Sequence, residues 1–133
     1  MDEQWRTLAA SADFAVFATV RPDGRPHAVP ITPVVVDDVI LFAIDHKPKT
    51  SRSLQRLANI KSEPRVSVLF DHRSERWDEL WWVRADGIAV VHTARPSEAD
   101  QLEQRHSAYR DRPPAGPWVR ILVSAWSGWA ASD

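Results

Sequence analysis

The 133-residue sequence predicts a mainly β fold, a small antiparallel barrel of about six strands with two to three helices packed outside. Three observations predict it. Strand-like segments outnumber helical ones about two to one, and most of them follow one another directly in the chain. The alternating strand, helix, strand order that a parallel sheet requires is missing. No stretch has linker composition, so one domain over residues 1–133 is expected. A chain of this size buries roughly two thirds of its unfolded surface, enough to fold without metal or disulfide staples.

Taken in order, Asp2 to Ser11 has Trp5, Leu8 and Ala9 at i, i+3, i+4 spacing, which predicts a short amphipathic helix. Phe14 to Val20 reads as a strand, Arg21 to Pro26 as turn chemistry around Asp23-Gly24, and His27 to Val36 as the second strand of a hairpin. Pro30 and Pro33 put that strand at a sheet edge or a bulge, since proline gives no hydrogen to a ladder. Asp37-Asp38 turns the chain into a third strand, Val39 to Ile44. Thr50 to Ile60 has helical spacing at Leu54, Leu57 and Ala58, with Thr50 or Ser51 as N-cap and Pro64 as terminator. Arg65 to Asp71 and Leu80 to Thr93 read as strands, with a bend at Asp86-Gly87. Ser97 to Tyr109 is a helix capped by Ser97, and Trp118 to Trp126 is a closing strand.

The chain has no cysteine, which excludes disulfide frameworks, thiolate metal sites and thiol chemistry and agrees with a reducing compartment. The N-terminus carries Asp2, Glu3 and Arg6 and lacks a signal-peptide core, so a cytoplasmic location is expected. Seventeen basic and eighteen acidic residues give a net charge of −1, which leaves no global field for nucleic acid or an anionic membrane. Four glycines form no dinucleotide fingerprint, P-loop or Gly-x-Ser-x-Gly elbow. The five histidines have no metal-ligand spacing, so no metal is expected.

Any anion site must therefore be local, and the segment from His46 to Arg65 is the candidate. At about 100° per residue, Lys49, Arg52 and Arg56 share one helix face, with Leu54, Leu57 and Ala58 opposite. Lys47 and Lys49 precede the first turn, where free N–H groups and the helix dipole favour a phosphate, and Thr50, Ser51 and Ser53 add hydroxyls. No acidic residue occurs from Lys47 through Lys61. A bound anion would relieve the like-charge repulsion at i, i+4, but on the residues alone a solvated basic face is the default reading.

The run from Phe42 to His72, FAIDHKPKTSRSLQRLANIKSEPRVSVLFDH, resembles the corresponding stretch of the pyridoxamine 5′-phosphate oxidase-like split barrels. There a basic helix leads through Asn-Leu-x-x-x-Pro-x-Val into a strand. Asn59 to Val66 matches that run with Ile60 in place of Leu, and Arg56 takes the place of the usual phosphate-binding Lys. Phe17 to Ile31 resembles the opening hairpin and Leu80 to Val91 the later long strand, so the resemblance spans nearly the whole chain. It implies a split barrel that works as a homodimer, with a flavin-type cofactor in a cleft between protomers. Lys47, Lys49, Ser51, Arg52 and Arg56 would hold its phosphate, and Val29, Pro30, Ile31 and Thr32 would lie against its ring system. Trp77 or Trp82 would wall the partner's cofactor, and Arg84 would stabilise developing negative charge.

Asp45 to Lys49, together with Trp81 to Gly87, most resembles the branch that uses the deazaflavin coenzyme F420, whose phosphate and oligoglutamate tail carry more negative charge than FMN. The reaction implied is hydride transfer to a small conjugated substrate. The alternatives are an FMN enzyme, a flavin- or heme-binding protein without turnover, and a ligand-free dimer. The sequence closes on Trp126-Ser127-Gly128-Trp129-Ala130-Ala131-Ser132-Asp133 where true pyridoxamine phosphate oxidases carry an Arg-Leu-x-Pro-type substrate element, so that activity is not expected.

Overall fold

A computed structural model of the protein describes residues 2–44 and 51–131, and for 51–54 the backbone alone. One sheet of seven strands dominates: β1 Ala15–Val20, β2 Pro26–Ile31, β3 Val34–Val36, β4 Val39–Ala43, β5 Arg65–His72, β6 Trp81–His92 and β7 Trp118–Ala130. Their spatial order is β2-β1-β5-β6-β7-β4-β3, and every neighbouring pair is antiparallel. The sheet curls into a half-barrel. β1 and β4 lie near opposite ends of it, yet the rings of Phe17 and Phe42 meet edge-on at 4.9 Å. Inward-facing Phe17, Ile40, Phe42, Val68, Phe70, Val83 and Ile121 form the core and exclude solvent almost completely. This is a split-barrel fold.

The described helices are α1 Asp2–Ser11, α2 Ser51–Ser62, α3 Ala99–Arg105 and α4 Ser107–Asp111, with a short 3-10 turn at Trp77–Glu79. Among the described residues no helix is long and apolar enough to cross a membrane.

Several expectations are corrected in detail. The segment read as one strand from His27 to Val36 is two, because the ladder stops at Thr32-Pro33 and resumes at Val34 on another partner. The helix expected from Ser97 to Tyr109 starts later and breaks at His106, whose backbone is extended and whose Nε2 is 2.8 Å from the carbonyl oxygen of Pro33. No side chain caps α3; the Glu98 carboxylate pairs with Arg120 of β7 through two 2.9 Å bonds instead. The closing strand continues past Trp126 to Ala130. The bend expected at Asp86-Gly87 is a β-bulge inside an otherwise continuous β6–β7 ladder: Asp86 pairs with Ala125 and Gly87 with Val123, so Ser124 is the extra residue.

The turns follow the sequence. Gly24 closes the β1–β2 hairpin at φ +89°, and Asp37 enters the β3–β4 turn at φ +53°, a conformation that Asp tolerates better than most residues. Asp38 then accepts from Trp126 Nε1 at 2.9 Å and from Arg6 at 3.1 Å, tying the turn to β7 and α1.

Helix α2 is anchored by a polar plug. Asn59 is fully buried; its Nδ2 donates to Thr19 Oγ1 of β1 at 2.9 Å and its Oδ1 accepts from Gln55 Nε2 at 2.7 Å. Ile60 and Val66 enter the core on either side of Pro64, which explains the Asn, Ile, Pro, Val spacing of the segment. The core side of the helix is therefore shifted from expectation, with Ala58 exposed and Asn59 and Ile60 buried. Asn59→Ala strands the Thr19 and Gln55 groups, and we expect it to cost about 2–3 kcal/mol in urea unfolding.

The outer face of the sheet is incompletely covered. Helix α3 shields Leu41, Ala43 and Trp118 at one end. Val16 and Leu69, Ile88 and Leu122, and Trp82 and Trp129 are cross-strand pairs that stay more than a third exposed.

Candidate functional site

The β1–β2 hairpin and α2 converge at one corner of the barrel. Arg21 follows β1 and is fixed by backbone bonds to Arg25 and Gly24 across the turn. The Asp23 carboxylate of that turn accepts from Arg25 Nε at 2.8 Å and from the Arg25 backbone N–H at 3.1 Å. His27 is on β2 directly opposite Thr19, the residue that Asn59 holds. The plug thus sets α2 against the hairpin and brings Arg56, one turn before Asn59, into electrostatic reach of His27.

Two nitrogens of this corner, Arg21 Nε and His27 Nδ1, are buried and make no hydrogen bond among the described residues. A buried polar nitrogen without a partner is expensive, and two of them beside the Arg56 guanidinium make this corner a candidate anion site. Burial, then Arg21, then Arg56 pushes the His27 pKa below the usual imidazole range. The shift favours the neutral imidazole of His27.

The sign of the pH response follows. An anion at the cluster favours protonated His27, so binding should tighten as pH falls. Sulfate keeps its charge in this range, and we expect its affinity to rise up to about tenfold between about pH 7.5 and 5.5, with His27→Gln flattening the response. Without an anion the same shift works against the fold: the unfolded chain takes up the His27 proton first, so stability drops as pH falls through the ordinary imidazole value.

Next to the cationic corner is a half-open cavity of about 280 Å³. Pro30, Ile31, Thr32 and Arg56 line it together with Phe14, Phe42 and Tyr109. Four residues proposed from sequence thus share one cleft although α2 lies far from β2 in the chain. Val29 shares the inward face of β2 with Ile31 but does not line the cleft; it packs on the core. Lys47 and Lys49 lie outside the described residues, as do the side chains of Ser51 and Arg52.

Trp77, Trp82 and Arg84 do not line this cleft. Trp77 is 78% exposed on the 3-10 turn. Trp82 and Arg84 are on the outer face of β6, where Arg84 pairs with Asp86 at 3.3 Å. Trp81 turns inward toward the core, as adjacent strand residues must.

Sequence reasoning missed Arg21, His27 and Tyr109. His27 carried a readable signal: it alternates with Val29 and Ile31, so it faces inward on a strand that offers it no acidic neighbour.

A model of the family described as pyridoxamine 5′-phosphate oxidase matches residues 1–130. The chain belongs to that family. Solved structures share the fold of this pyridoxamine 5′-phosphate oxidase family member at low identity. A conserved hypothetical protein of Mycobacterium tuberculosis is 21% identical with a TM-score of 0.74, over 98% of this chain and 85% of that one. An FAD-binding protein of Mesorhizobium loti is 20% identical with a TM-score of 0.70, over 96% and 93%. HutZ, the heme storage protein of Vibrio cholerae, is 17% identical with a TM-score of 0.67, over 96% and 90%. No curated protein matches the chain. The family includes flavin oxidoreductases, and the residues present fit a phosphate-bearing cofactor: a cationic corner with unmet donors opens beside a cleft walled by backbone and aromatic rings.

Proposed function

We propose that the protein is an oxidoreductase dependent on coenzyme F420, with FMN as the alternative cofactor. The observation that carries this reading is the grouping of Arg21 and His27, with their unmet buried nitrogens, beside Arg56 at the edge of the cleft lined by Pro30, Ile31 and Thr32. The cofactor supplies hydride chemistry when bound; the chain supplies charge matching, orientation and exclusion of water. Arg56 and Arg21 hold phosphate oxygens, His27 donates once protonated, and the end of β2 offers backbone groups to the ring system. The preference for a deazaflavin rests on charge. Lys47, Lys49 and Arg52 add positive charge along the segment that carries Arg56, which suits an oligoglutamate tail.

The cleft is half open, and its mouth needs a cover. A homodimer supplies one, and the uncovered pairs Trp82 with Trp129 and Ile88 with Leu122 give the outer sheet an apolar surface on which a second copy can dock. In that assembly Trp77, Trp82 and Arg84 serve the partner's cofactor.

Titrating the purified protein separately with oxidised F420, FMN and heme, followed by fluorescence or absorbance, tests the reading. We expect the tightest binding with F420. Tight FMN binding with none for F420 would overturn the deazaflavin assignment, and uptake of heme alone would overturn the enzyme reading.

A further inference from the structure

The cleft has a second chamber. A cavity of about 470 Å³ adjoins it, and both are lined by Phe14, Thr32 and Tyr109. The Tyr109 hydroxyl is 3.2 Å from Thr32 Oγ1, on the wall between the two. Its ring is held edge-on by His106 at 5.9 Å, and His106 is itself fixed on the Pro33 carbonyl oxygen. A hydroxyl whose partner is another hydroxyl can rotate toward a ligand without leaving an unmet charge behind. Tyr109 is also the chain's one tyrosine.

The second chamber is charge-neutral. Arg105 on its wall is paired with Asp13 at 2.9 Å and donates to the Ser11 carbonyl oxygen at 2.6 Å. Phe14, 66% exposed, offers a flat apolar face to both chambers. The first chamber has the cationic edge and the second has none, which separates an anionic cofactor from an uncharged planar molecule.

Building on the cofactor reading above, we propose that the second chamber seats a neutral, planar conjugated carbonyl compound and that Tyr109 is the proton donor to its oxygen. A hydride from the reduced deazaflavin or flavin forms the new C–H bond at the β carbon. The carbon–carbon double bond shifts, and the carbonyl π pair moves to oxygen. The Tyr109 O–H bond breaks as its proton forms the O–H bond of the enol. The tyrosinate recovers a proton from water, and the enol tautomerises to the saturated carbonyl compound. The cofactor is oxidised by two electrons and the substrate is reduced by two. Thr32 is a positioning residue, holding the Tyr109 hydroxyl between turnovers.

Para-nitrophenol, a flat phenol whose anion mimics the enolate oxygen, tests this on the protein loaded with whichever of F420 or FMN it binds. Bound to the wild type, its coloured phenolate should form at least about one pH unit lower than in Tyr109→Phe, because a hydrogen bond to the anion is lost in the variant. Equal titration of the probe on both proteins, with cofactor uptake intact, overturns the role of Tyr109 and leaves the cofactor reading standing. Failure of the wild type to take up either cofactor overturns both. Isotope-labelled tyrosine gives one NMR signal in this chain, so the wild type alone also decides: that signal should move in step with probe saturation, and an unmoved signal overturns the proposal even if the Phe variant does not fold.

Discussion

Gly87→Ala is expected to destabilise the fold by about 3 kcal/mol or more and to lower Tm by roughly 10 °C. The β-bulge at Ser124 presses the β7 backbone over Gly87, so an added Cβ would be 2.3 Å from the Leu122 carbonyl oxygen and 3.0 Å from Val123 Cα. Both obstacles are backbone, and no rotamer change relieves them. The β6–β7 ladder, the longest in the sheet, would have to open at its middle. Gly24→Ala is the useful contrast. Nothing is within 4 Å of its added Cβ, and its cost comes from φ +89° alone, about 1 kcal/mol. Thermal unfolding of the two variants side by side checks the difference, and a wild-type Tm for Gly87→Ala would mean that β7 yields at the bulge.

Arg56→Ala should weaken cofactor binding by about 1–3 kcal/mol, and Arg56→Lys should recover part of the loss. Arg56 is half-buried between the cationic corner and the cleft, so removing it takes away a charge-assisted bond where water screens poorly. Lys keeps the charge but loses the planar fork that can bind two oxygens at once. Fluorescence titration with the cofactor measures both variants. An unchanged affinity for Arg56→Ala would move the phosphate elsewhere on α2 or off it altogether.

The elements were legible wherever local chemistry decides them. Pro22-Asp23-Gly24 marks the first hairpin, Pro64 stops α2, and the alternation around Trp81 and Trp82 sends one ring in and the other out. The site was legible only in part, because it is assembled from contacts that sequence spacing does not reveal. Arg21, His27 and Arg56 belong to a turn, a strand and a helix, brought together by the Asn59–Thr19 bond across forty positions and by the packing of Leu57 and Ile60 on the core. Tyr109 and Thr32 are 77 positions apart. Helical periodicity also misassigned the buried side of α2, since it counts Asn59 as polar surface when its amide is the plug that fixes the helix. The strand alternation that puts Trp82 and Arg84 on the outer face of β6 was legible, but their distance along the sheet from the cleft was not, because it depends on the strand order.

The unmet nitrogens of Arg21 and His27 make the solution conditions part of the molecule's energetics. On the proposed reading, small oxyanions in the medium should compete for that corner, and phosphate buffer should act as a weak ligand that raises the apparent melting temperature and depresses apparent cofactor affinity by mass action. A purification carried out in phosphate would deliver a heat-stable protein that looks indifferent to its cofactor, whereas the same protein in a zwitterionic buffer would look fragile and bind tightly.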